Sequence, residues 1–138
     1  MIDNYIEKAF DLLDFSYCPY SKFRVGCLIV TKDNRIYNGV NIENASYGLT
    51  MCAERCAVFN ALSNGVLKED IDYVIIVSNS TNKLIPCGGC LQVFSEFLNM
   101  NTRIIIQSFD KSKNSEMVKR EYLFKDLLPN IFGKDNLS

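Results

Sequence analysis

The order of apolar and polar positions divides the chain into recognisable elements. Over residues 2–13, Ile2, Tyr5, Ile6, Ala9, Phe10, Leu12 and Leu13 recur at helical spacing, which predicts an amphipathic helix lying on a core. Asn4 and Glu7, three apart, read as its capping pair. Residues 17–21 contain Pro19 and read as a loop. Residues 23–30 and 35–40 are β-type runs joined through Lys32-Asp33-Asn34, the pattern of a hairpin. Residues 41–50 are polar and read as a loop. Residues 52–62 form a compact helical stretch closed by Ser63-Asn64-Gly65. Residues 73–77 are an unbroken apolar run, which predicts a strand covered on both faces, and residues 103–107 are another buried run. Residues 86–89 read as a turn, and residues 91–98 as a helix with Phe94, Phe97 and Leu98 on one face. Residues 118–128 begin strand-like and end helix-like, stopped by Pro129. The polar tail after Phe132 is expected to fray. Strands alternating with helices imply one α/β layer structure, a sheet covered by helices. No repeat, linker or low-complexity tract interrupts it, so residues 1–138 read as a single domain.

Composition narrows the function classes. A chain of 138 residues can bury its own core without disulfides. With 15 Lys+Arg against 16 Asp+Glu, the net charge is −1, so the basic footprint of a nucleic-acid binder is missing. No apolar stretch approaches the roughly 18 residues of a membrane span, so no membrane partner is expected. Met1-Ile2-Asp3-Asn4-Tyr5 has no basic region leading into an apolar run and is not read as a signal peptide. The expected location is therefore cytoplasmic, where thiols stay reduced and clustered cysteines point to metal or catalysis. There are six cysteines and no histidine. Any acid–base or metal chemistry must fall to carboxylates and thiolates.

Three features bear chemistry. Pro86-Cys87-Gly88-Gly89-Cys90 places two thiols two residues apart in a turn entering a helix, where helix-terminal N–H groups favour thiolate. Cys52-Ala53-Glu54-Arg55 adds a third thiol and a carboxylate at another helix start. Three thiolates leave a tetrahedral zinc one open position for a water, which the metal acidifies. Glu54, not itself a ligand, is then placed to take a proton and deliver it to a substrate, while Arg55 and the helix ends offset the thiolate charge. Asn41-Ile42-Glu43-Asn44 sets an amide and a carboxylate on one side of an extended segment, a pair suited to the hydroxyls of a ribose.

Four segments together resemble the small, homotetrameric, three-cysteine cytidine deaminases. They are Tyr17-Cys18-Pro19-Tyr20-Ser21-Lys22-Phe23-Arg24-Val25-Gly26, Gly39-Val40-Asn41-Ile42-Glu43-Asn44-Ala45-Ser46-Tyr47-Gly48, Cys52-Ala53-Glu54-Arg55 and Pro86-Cys87-Gly88-Gly89-Cys90. The resemblance spans roughly residues 1–132. It implies a three-layer fold with a five-stranded mixed sheet flanked by helices, and one Zn2+ per subunit on Cys52, Cys87 and Cys90. It implies hydrolytic deamination of cytidine and 2′-deoxycytidine to uridine and 2′-deoxyuridine with release of ammonia, a step of pyrimidine salvage. By position, it implies Glu54 as proton shuttle and Arg55 as donor to the ligand thiolates. Asn41 and Glu43 match residues that hold the ribose, Ala53 a backbone contact to the pyrimidine, and Phe23 an aromatic beside the nucleoside. Tyr47 and Phe132 match residues contributed to a neighbouring subunit's site in a homotetramer with shared active sites. One departure is plain: Leu91 stands where the family usually has arginine.

Blander readings stand beside these. Cys56, one turn from Cys52, would complete a closed four-thiolate structural zinc site, the mark of a non-catalytic interaction domain. The cysteine pair alone would suit a redox dithiol. Glu54 alone would be a helix-start carboxylate on the dipole. If Thr50 caps the helix, Ala53 takes the capping-box position and Glu54 misses it. Phe23 reads equally as core, and Phe132 as a docking residue. Cys18 and Cys27 read as small buried hydrophobes. A related cytosine nucleoside antibiotic is the alternative substrate.

Overall fold

The computed structural model describes residues 1–80, 83–110 and 116–137, leaving out the side chains of Asp110 and Glu116. Five strands form one sheet: β1 (Val25–Thr31), β2 (Ile36–Val40), β3 (Ile71–Ser78), β4 (Arg103–Asp110) and β5 (Glu116–Leu123), in the order β2-β1-β3-β4-β5. β1 runs antiparallel to β2 and β3, β3 parallel to β4, and β4 antiparallel to β5. The sheet is therefore mixed, with β2, β3 and β4 pointing the same way. Four helices accompany it: α1 (Ile2–Asp11), α2 (Ala53–Ser63), α3 (Gly88–Phe97) and the short α4 (Phe124–Leu127).

Alternating residues of the strands feed two cores. Leu28, Val30, Tyr73, Ile75, Val77 and Ile105 face Tyr5, Ile6, Ala9 and Leu13 of the α1 segment. Cys27, Ile29, Val74, Ile76, Ile104 and Ile106 face α2 and α3 through Ala57, Val58, Leu91 and Phe94. Every residue of β1 is buried because helices cover both faces. The result is the three-layer arrangement expected above.

Close approach is what aims α2. A Cβ on Gly39 would lie 2.3 Å from the Ala57 nitrogen and 2.6 Å from the Ala53 oxygen. Ala53, Ala57 and Ala61 are fully buried; four apart, they make a flat stripe. Glycine on β2 against alanine on α2 lets helix backbone rest on strand backbone. α2 follows the end of β2 and α3 follows the end of β3, so both helices start at the same edge of the sheet. This is the edge where parallel-strand layers place their sites.

Several local expectations shift. α1 starts directly after Met1 with no side-chain cap. Asn4 thus lies inside the first turn, and the apolar docking of Ile2, not an Asn4–Glu7 pair, sets the start. The segment 86–89 is only half turn: Cys87 is the N-cap of α3, its Sγ accepting from the Cys90 N–H at 3.4 Å, and Gly88 and Gly89 are already helical. Lys32-Asp33-Asn34 does close a hairpin, with Asn34 at φ 65°. β5 passes directly into α4, as the mixed pattern of 118–128 implies. The tail forms a 3-10 turn at Lys134–Asn136, with the Asn136 side chain accepting from Gly133; Ser138 lies outside the described residues.

Candidate active site

Two helix starts bring the thiols together. Cys52 is the N-cap of α2, Cys87 the N-cap of α3, and Cys90 sits three residues later in the first turn of α3. Their sulfurs lie within 4.8 Å of one another, Cys52 to Cys87 at 3.9 Å and Cys87 to Cys90 at 3.5 Å. Bonds of about 2.3 Å to a tetrahedral zinc set sulfurs about 3.8 Å apart, so this cup fits that ion. Cys56 is not part of it: the group contains no fourth ligand among the described residues. Burial raises the Cys56 thiol above its ordinary pKa. Cys18 and Cys27 are buried in the protein interior, as read.

The electrostatics of the cup is uneven. A hydrogen bond from the Cys90 thiol, opposed by burial and helped by Arg55, lowers Cys52 to about 5. Cys90 moves the other way, raised first by that same bond to Cys52 and then by burial. Arg55 Nη2 donates to Cys52 Sγ at 3.4 Å, and the thiolates raise the guanidinium's own pKa. Arg55 Nε is buried without a hydrogen-bond partner among the described residues. Leu91, by contrast, is buried in the α2–α3 core, so its side chain is spent on packing and not on the thiolates.

Glu54 is the second residue of α2. With Cys52 as the cap, the capping-box position falls on Arg55, and Glu54 misses it in the observed register as well. Its side chain is only 5% exposed, and burial pushes its pKa up to about 7.

A cleft of about 210 Å³ opens over these groups, bordered by Phe23, Asn41, Glu43, Cys52, Ala53 and Glu54. Phe23 is 38% exposed and forms cleft wall, not core. Asn41 and Glu43 both border the cleft, yet each is already engaged. Asn41 Oδ1 accepts from Val25 N–H at 3.0 Å and its Nδ2 donates to the Phe23 carbonyl at 2.6 Å. Glu43 Oε1 accepts from the N–H groups of Tyr20 and Ser21, both at 3.1 Å, and Oε2 accepts from Ser21 Oγ. The Ser21 hydroxyl is the main cause holding the Glu43 carboxyl below the ordinary carboxylate range.

Two predicted residues stay outside the cleft. Tyr47 borders an adjoining hollow with Tyr20, Ser21, Glu43 and Thr50, its ring edge-on to Tyr20 at 6.2 Å. Phe132 is 58% exposed, and its carbonyl accepts from Gln92 Nε2 at 2.8 Å. Sequence reasoning missed the walls made by Thr50, Met51, Leu84 and Ile85 and the role of Ser21. Leu84 and Ile85 directly precede Pro86-Cys87, so their position beside a ligand was the available signal.

Comparison with known proteins agrees with this geometry. A family model described as the cytidine and deoxycytidylate deaminase zinc-binding region matches residues 1–107. A cytidine deaminase of Halalkalibacterium halodurans is 35% identical over 133 residues, covering 96% of this chain and 95% of its own. One of Sporosarcina psychrophila is 37% identical over 123 residues, covering 89% and 85%. The crystal structure of a cytidine deaminase from Burkholderia pseudomallei superposes with a TM-score of 0.84 at 34% identity, covering 96% of this chain and 99% of that one.

Proposed function

The chain belongs to the cytidine deaminase family, and on that premise we propose how its residues share the work. The reaction is the hydrolytic deamination of cytidine. Water adds at the amine-bearing ring carbon, the adjacent ring nitrogen takes a proton, and the amino group leaves as ammonia, giving uridine. One observation carries the reading: a buried carboxylate, a cup of three thiols and an amide–carboxylate pair meet at a single cleft.

Cys52, Cys87 and Cys90 would hold one zinc ion per subunit, which when bound would supply an acidified water. Glu54 takes a proton from water in the cleft, passes it to the ring nitrogen and then assists the departure of ammonia. Its place beside Cys52 on the cleft wall supports the role. Ala53 meets the pyrimidine through its backbone, and Phe23 packs beside the base. Asn41 and Glu43 receive the sugar. Three hydrogen bonds already fill three of a carboxylate's roughly four acceptor positions, so Glu43 has room for one hydroxyl. That supports 2′-deoxycytidine as a second substrate. Arg55 steadies the thiolates through Cys52.

We also infer a homotetramer with shared sites, in which Tyr47 and Phe132 reach a neighbour's cleft. Support comes from the exposed apolar residues Phe15, Tyr17, Tyr20, Ile42, Tyr47 and Leu49, concentrated in the segment that borders the cleft. Among the described residues no helix is long and apolar enough to cross a membrane. The six cysteines are unpaired, which fits a reducing cytoplasm and a place in pyrimidine salvage.

The test is an ultraviolet absorbance assay of the zinc-loaded protein with cytidine, run beside Glu54→Gln. The parent turns over cytidine; Glu54→Gln retains zinc and loses about a thousandfold or more in kcat. No turnover by the parent overturns the reaction, and full turnover by Glu54→Gln overturns the assigned proton path.

A further inference from the structure

Two short segments, 17–23 and 41–43, supply Phe23, Asn41 and Glu43 to one side of the cleft and are stitched together along their backbones. Tyr17 N–H donates to the Asn41 carbonyl at 3.0 Å, and Glu43 N–H to the Tyr17 carbonyl at 2.8 Å. A second layer of contacts converges on one side chain. Ser21 Oγ donates to Glu43 Oε2 and at the same time accepts from Phe23 N–H at 3.0 Å, while the Ser21 N–H donates to Glu43 Oε1. Lys22, between Ser21 and Phe23, sits at φ 61°, in the left-handed region that costs a residue with a β-carbon about 1 kcal/mol. Such a conformation persists where its surroundings over-determine it. Here the Lys22 N–H donates to the Cys18 carbonyl at 3.0 Å, and the Ser21 hydroxyl holds the backbone on the other side.

We propose that Ser21 is the positioning residue of the sugar side of the cleft, its hydroxyl fixing the Glu43 carboxylate and the Phe23 backbone relative to each other. This rests on the reading of Glu43 as the acceptor for a sugar hydroxyl. Without the Ser21 hydroxyl, Glu43 is anchored through Oε1 alone. The oxygen left for the sugar then has no partner defining its direction, and the Phe23 N–H loses its acceptor. Ser21 does not border the cleft that holds Glu54 and the thiols. Its loss therefore acts on binding rather than on the chemical step, and most strongly on substrates that carry the 2′ and 3′ hydroxyls. Being exposed, it can be replaced without disturbing the core.

The test compares steady-state kinetics on cytidine and on 2′,3′-dideoxycytidine for Ser21→Ala, Ser21→Thr and Glu43→Gln. Ser21→Ala raises KM for cytidine about tenfold with kcat within about twofold. On the dideoxy substrate its KM moves less than about twofold, and Ser21→Thr, which keeps the hydroxyl, returns cytidine KM to within about twofold of the parent. An unchanged cytidine KM in Ser21→Ala, an equal penalty on both substrates, or a Ser21→Thr enzyme as impaired as Ser21→Ala overturns the proposal. Glu43→Gln separates the two layers of inference. If it too leaves cytidine KM unchanged, the sugar reading of Glu43 fails and takes the proposal with it. If it is impaired on cytidine while Ser21→Ala is not, the role of Ser21 alone fails.

Discussion

The two halves of the cleft are built on opposite plans. On one side, three sulfurs are set by the first turns of two helices, α2 pinned to β2 by close backbone packing and α3 held in the core by the side chains of Leu91 and Phe94. Their mutual distances of 3.5 and 3.9 Å follow from cap positions that the core fixes. On the other side, two loop segments hold each other through hydrogen bonds, and Asn41 and Glu43, which we assign to the sugar, bond to the chain itself. The thiol side places reactive atoms on rigid elements, the arrangement that chemistry demands. The loop side couples recognition to local shape. Losing a group on the thiol side removes chemistry from an intact fold. Losing one on the loop side changes shape and binding together.

The largest effect that tests this contrast is on the thiol side. Cys87→Ser loses zinc by metal analysis and at least about a thousandfold in turnover, with the fold retained. Cys56→Ser keeps zinc and activity within about twofold. Equal zinc loss in both variants would mean a closed four-thiolate site and break the contrast at its root.

Next comes the loop side. Asn41→Ala removes a donor and an acceptor at once and leaves the buried Val25 N–H unsatisfied. It should cost about 1–3 kcal/mol in denaturant unfolding and raise the KM for cytidine in the same variant. A shift in KM with stability unchanged would show that Asn41 serves substrate alone and that the two sides are not built differently.

The smallest effect concerns Phe132, which lies outside its own chain's cleft. Phe132→Ala should weaken nucleoside binding about threefold while leaving the melting temperature within about 2 °C, since more than half of its surface is exposed. Unchanged kinetics would reject its contribution to a neighbouring site.

Legibility from sequence followed the same division. The apolar runs of β3 and β4 and the alternating pattern of α1 could be read because burial writes directly into residue type. Cys52, Glu54, Cys87 and Cys90 could be singled out because their chemistry is uncommon and their spacing matches helix starts. The helix starts depart from the Asn4–Glu7 pair and the 86–89 turn because cap geometry depends on where packing begins a helix, which local pattern does not contain. Ser21 could not be recognised at all. A serine in a loop is ordinary until folding brings a carboxylate 22 residues away against its hydroxyl.

By itself the sequence determined the inventory: which residues prefer the interior, which segments are strand or helix, and that thiolates and a carboxylate must do the work of the missing histidines. Composition and periodicity suffice for that, because they record the preferences of single residues and near neighbours. Only the tertiary structure decided which groups act together. The meeting of two helix starts at one sheet edge, the exclusion of Cys56, the burial of Glu54 and the clasp of Ser21 on Glu43 all depend on contacts between segments distant along the chain. Such contacts are set by the close packing of α2 on β2 and by hydrogen bonds that exist only once both partners have been brought into place.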